Sequence, residues 1–163
     1  MNVVTDSMHG PGGDSMTARL ARVVLRAELV VVACTFFVFA FLHLGTHPAG
    51  IAEPRILPAT IVEGICGLCL ALAAVATFAG TARTWQAAVT AHVISIGGVL
   101  LGLLAQASGN GGTELNAVYH RTVLAVLIVS LVLLLTRSGR VALRKSLHKT
   151  EYVVKSNGSD EHD

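Results

Sequence analysis

The sequence predicts an all-α fold: a four-helix transmembrane bundle with both termini cytoplasmic. Three observations lead there. First, only 13% of the 163 residues are charged and 53% are hydrophobic, whereas an average soluble domain carries roughly 25% charged residues. Second, the apolar residues gather into four runs. About 20 residues at about 1.5 Å rise cross a bilayer core of about 30 Å, and each run meets that length. Third, ten of the twelve Lys and Arg residues fall at the two ends of the chain or in the turn between the second and third runs. Basic residues collect on the cytoplasmic side of a membrane. A formal charge of +2 is too small to point to nucleic acid, so the partner this composition implies is the lipid bilayer.

Residues 1–18 open with MNVVTDSMHGPGGDS, which is polar and Gly-rich and is expected to be a disordered cytoplasmic N-terminus. Met16 opens MTARLARVVLR, a more natural start for a membrane protein. The membrane domain is read as 19–137. Its first helix, about 26–46, follows Arg19, Arg22 and Arg26 and contains LVVVACTFFVFAFLHLG. This run is long for a signal-peptide core and His43 interrupts its end, so it is read as a span. The second helix is expected at about 57–79 and the third at about 85–107, joined by the short basic turn GTARTW. The fourth, about 118–136, has TVLAVLIVSLVLLL as its body. The connections HPAGIAEPRI and SGNGGTELNA hold only Arg55 nearby and Arg121 just beyond, so they should face outward. Residues 138–163 read as a basic, then acidic, cytoplasmic tail. Its RVALRKSLHK segment suits an anionic inner leaflet, and the sequon at Asn157 is on the wrong side for use.

Inside the runs the polar residues fall on narrow stripes. Thr60, Glu63, Gly67, Leu70, Ala74 and Thr77 share one face of the second helix, and His92, Ser95, Val99, Gly102 and Gln106 share one face of the third. An ionisable side chain in hydrocarbon costs roughly 2.5–3.5 kcal/mol on insertion scales, so these stripes should point into the bundle. Gly98 and Gly102 form a GxxxG that allows close helix approach. Glu63 lies about 9 Å inside its helix at the helical rise. His43, Gln106, His120 and Arg121 belong to the same membrane half, so these five residues form the candidate polar cluster. Glu28 and His92 are secondary candidates in the other half.

Two readings of the cluster stay open. One is a carboxylate tied to His or Arg that sets helix register. The other is an outward-opening pocket for a proton, cation or small ligand. The histidines and Glu63 have no tight metal-ligand spacing, so no metal is assigned. His43 and His92 differ too much in depth to share a haem, and no cofactor is expected. Cys34, Cys66 and Cys69 fall near mid-membrane. A CxxC there lacks the setting that activates thiols, so the cysteines read as packing.

The run VEGICGLCLALAAVATFAG, with its acidic residue, following glycines and short basic turn, resembles the second helix of DoxX-like small membrane proteins. TELNAVYHRTVLAVLIVSLVLLL, with Tyr119, His120 and Arg121 at the helix start, is similar to the last helix of other small bacterial membrane proteins. The resemblance implies four helices, and a role for some relatives as partners or subunits of membrane oxidoreductase systems. The Ala, Val and Leu content suits a bacterial inner membrane. The leading functional expectation is therefore a non-enzymatic accessory or scaffold subunit with a membrane-protein partner or a homo-oligomeric state. The alternative is a carrier that uses the outer Glu/His cluster, and a membrane thiol redox protein comes third.

Overall fold

A computed structural model describes residues 16–46, 50–51, 53–109 and 112–144. Of residues 1–18, expected to be disordered, 16–18 belong to a helix, while residues 1–15, the tail beyond 144 and the sequon at Asn157 lie outside the described residues. The described residues form five helices: α1 (Met16–His43), α2 (Leu57–Ala79), α3 (Thr84–Ala107), α4 (Glu114–Leu135) and the short α5 (Arg137–Arg144). The first four are each long and apolar enough to cross a membrane. This is a multi-pass membrane protein of four sequential packed helices. An even number of crossings puts both ends of the four-helix unit on one side of the bilayer.

Two helix starts differ from the expected positions, and both differences have local causes. α1 begins at Met16 rather than near Arg26, because MTARLARVVLR is built from good helix formers and contains no breaker. α4 begins at Glu114 rather than near Val118. Thr113 caps it by accepting from the Asn116 backbone N–H at 3.3 Å, and Glu114 in the first turn faces the positive end of the helix dipole. α1 stops at His43, ahead of Gly45 with its φ of 89°. Residues 138–144, expected to be the start of the basic tail, form α5 together with Arg137.

α1 packs on α2, α2 on α3 and α3 on α4, while α5 lies against α1, α3 and α4. The core runs down the middle of the bundle through Leu29, Phe36, Leu70, Val99 and Leu127. Large apolar side chains such as Phe41, Ile61, Leu72, Leu104 and Val132 are exposed. Such a surface would be costly in water and is free of cost against lipid. Aromatic rings fill the gap between α1 and α4. Phe39 stacks on Tyr119 with centroids 3.6 Å apart and planes within 4°, and Phe36 meets the same tyrosine edge-on.

The two ends of the bundle are closed differently. At the basic end, Trp85 donates from Nε1 to the Leu134 carbonyl at 2.9 Å and Arg140 of α5 lies over the Trp85 ring. At the other end, Glu53 in the α1–α2 connection is buried and accepts from the hydroxyl of Thr113. That bond ties the first connection to the N-terminus of α4.

Candidate intramembrane polar site

The end closed by Glu53 holds the polar cluster. Glu63 sits on the buried face of α2 and is 3% exposed. Its Oε2 is 2.8 Å from Nδ1 of His43, the last residue of α1. Its Oε1 is 3.8 Å from Nε2 of His120 on α4. One carboxylate thus stands between two imidazoles from two other helices. His43 and His120 are themselves 0% and 4% exposed.

The tautomer of His120 follows from its backbone partner. Its Nδ1 lies 2.9 Å from the carbonyl of Asn116, one turn earlier on α4. A carbonyl only accepts, so Nδ1 carries hydrogen. In the neutral ring Nε2 then carries a lone pair and no hydrogen, and at 3.8 Å from Oε1 of Glu63 the two acceptors are reconciled by a bridging water or by a proton on one of them.

A cavity of about 160 Å³ opens beside this contact, between α2, α3 and α4. Glu63, Gln106, Asn116 and His120 supply its polar wall, and Pro58, Val62 and Leu101 are among its apolar lining. Glu63 Oε1, Asn116 Oδ1 and Gln106 Nε2 are all buried without a hydrogen-bond partner. Most of the lining is apolar, but at about 30 Å³ per water the volume has room for a few waters at the end where Glu63, Gln106, Asn116 and His120 converge. Buried polar groups that lack partners are costly in a low-dielectric interior, so these atoms call for water, a proton or a small ligand.

GxxxG makes this arrangement spatially feasible. A β-carbon on Gly102 would collide with Nε2 of His120 and stand 2.9 Å from its Cδ2. A β-carbon on Gly98 would stand 2.5 Å from Sγ of Cys66 and 3.1 Å from Val62. Gly102 therefore seats the histidine of α4, and Gly98 seats the buried thiol of α2. Cys66 fills space beside Gly98, Cys69 is partly exposed, and Cys34 is on the exposed face of α1. No disulfide joins them.

Of the five residues grouped from the sequence, the fold brings His43, Glu63 and His120 together and puts Gln106 on the cavity wall. Arg121 is exposed on α4 and does not join them. One residue along a helix turns about 100°, so a neighbour of an inward-facing His120 points outward. Its long side chain suits the route toward the headgroups that arginine takes near a membrane surface. Glu28 and His92 meet in the opposite half, with Oε2 and Nε2 3.4 Å apart. Among the described residues no group of three or more His, Cys, Asp or Glu has metal-binding geometry.

No family model, curated protein or solved structure matches this chain. The geometry therefore has to carry the functional argument by itself.

Sequence reasoning missed Glu53, Asn116 and Thr113. Glu53 lies in an irregular connection where no periodicity assigns a face, and its partner Thr113 is far away in sequence. Asn116 was hidden by placing the start of α4 too late. The capping signal was present, since Thr113 precedes Glu114 and an apolar run, and reading it would have put Asn116 on the same face as His120.

Proposed function

We propose that this membrane protein is a proton-binding carrier in which Glu63 is the loading site. One observation carries this reading. Glu63 is held between two histidines, yet its Oε1 has no hydrogen-bond partner and the residue lines a cavity at its polar end, with Gln106 and Asn116. A carboxylate that served only to fix helix register would be expected to have both oxygens satisfied by protein. The cavity supplies water to deliver the proton, and His43 and His120 supply the groups that share it.

The loading site belongs to the outer half of the membrane. Support comes from the ten-to-two distribution of basic residues, with Arg19, Arg22, Arg83 and α5 at the end away from Glu63. Reporter fusions after Lys155 and inside the Ser108–Ala117 connection are expected to report cytoplasmic and external locations, respectively. The reverse result would invert the carrier.

Infrared difference spectra of the lipid-reconstituted protein between acidic and alkaline buffer test the reading itself. A reversible carboxylic-acid carbonyl band is expected, absent from Glu63→Gln and retained in Glu114→Gln. A spectrum that Glu63→Gln leaves unchanged would overturn it.

A further inference from the structure

The opposite half of the bundle contains a second acid–base pair. His92 and Ser95 on α3 are both 0% exposed. Nδ1 of His92 donates to the carbonyl of Ala88 at 2.8 Å, so Nε2 is the atom turned toward Glu28 of α1, 3.4 Å away. As at His120, a lone pair on that nitrogen would face the lone pairs of a carboxylate, and a proton between them makes the contact favourable. His92 Nε2, both oxygens of Glu28 and Oγ of Ser95 have no hydrogen-bond partner. Four such atoms in one place inside an apolar bundle require water or a shared proton.

The two pairs are built alike. Glu28 and His92 stand equally far before the ends of α1 and α3, and Glu63 and His120 stand equally far after the starts of α2 and α4. Each pair therefore joins matching positions of the two helical hairpins, and in each the histidine donates through Nδ1 to the carbonyl one turn earlier. The correspondence is one of spacing from the helix ends in the two hairpins.

Polar side chains also connect the pairs. Cys66 lies one turn inward of Glu63 on the same face of α2, Ser95 lies one turn outward of His92 on α3, and the thiol of Cys66 adjoins Ser95. Among the described residues, the other ionisable groups of this half are Arg19, Arg22 and Arg26 on α1, Cys69 on α2, Arg83 in the α2–α3 turn, and Arg137 and Arg140 of α5, the last over Trp85. α4 brings no titratable side chain between Val123 and Leu135.

We propose that Glu28 and His92 form a second proton-sharing site, and that the two pairs are the ends of one water-bridged proton path past Cys66 and Ser95. The proposal rests on the proton reading of Glu63. Each hop breaks one O–H or N–H bond as the next forms across a bridging water. No electrons change hands, and the side chains regain their starting protonation once the proton has left Glu28.

The test uses the full chain in liposomes with a trapped pH-sensitive dye, an imposed pH difference, and valinomycin with potassium to cancel the membrane potential. Wild type is expected to dissipate the difference several-fold faster than protein-free liposomes. Glu28→Gln, His92→Asn and Ser95→Ala are each expected to return the rate to the protein-free value. Ser95→Ala removes a single hydroxyl and no charge, and thermal unfolding of the same variant, expected to match wild type, separates loss of flux from loss of fold. Wild-type flux at the protein-free rate would overturn the path, and the infrared band of Glu63 would then judge the loading site separately. Fast flux that Ser95→Ala and Glu28→Gln both preserve would overturn it as well.

Discussion

Glu63→Leu is expected to lower the stability of the detergent-solubilised bundle by about 3–5 kcal/mol, the usual cost of removing one partner from a buried ion-pair network. The reason is geometric. Leucine leaves His43 and His120 aimed at an apolar side chain, with Asn116 and Gln106 still unpartnered on the cavity wall. Glu63→Gln keeps the shape and one acceptor oxygen, so it is expected to stay within about 1 kcal/mol of wild type while losing the proton-linked infrared band. Replacing Glu63, His43 and His120 together by leucine should recover much of the stability lost by Glu63→Leu, because no imidazole is then left facing an apolar side chain. Thermal unfolding followed by Trp85 fluorescence checks all three. A Glu63→Leu protein as stable as wild type would show that the histidines do not depend on the carboxylate.

Gly102→Ala carries the second large effect. The new methyl would occupy the place of the His120 ring, and a helix backbone packed on both sides has little room to retreat. Overpacking of this kind costs about 1–3 kcal/mol. Here it should also move His120 away from Glu63 and alter the proton-linked signal. In the His120→Ala background the methyl finds the space vacated, so the cost should fall to near zero. The double-mutant cycle is then expected to give a coupling of about 1–3 kcal/mol, within the range seen for residues in direct contact. An equal cost in both backgrounds would place the strain elsewhere, at the α2–α3 contact through Gly98.

The reach of the sequence differs between fold and site. Four spans were readable because hydrocarbon tolerates so few alternatives: long apolar runs broken by Gly, Pro and basic turns leave little else to form. The facing of Glu63 was readable for the same reason, since lipid penalises a carboxylate and one helical stripe gathers the small and polar residues. Which residues it meets was only partly readable. His43 and His120 share its membrane half, but so does Arg121, and depth alone did not separate His120 from its outward-turned neighbour. The facing of α4 was needed for that, and it hangs on the Thr113 cap. Glu53 could not be placed at all, because an irregular connection has no period. The likeness of Glu28–His92 to Glu63–His120 is a relation between helix ends, and it appeared only when those ends were known.

The central claim is that a proton is shared between Glu63 and the histidines around it. Nitrogen-15 NMR of the seven histidines, ring-labelled in lipid, tests it most directly. Nδ1 of His92 and of His120 is expected to carry the ring hydrogen, as their backbone carbonyl partners require. The Nε2 resonance of His120 is expected to move in Glu63→Gln, because that nitrogen faces the carboxylate. A His120 ring that bears its only hydrogen on Nε2, or an Nε2 resonance that Glu63→Gln leaves in place, would contradict the shared proton.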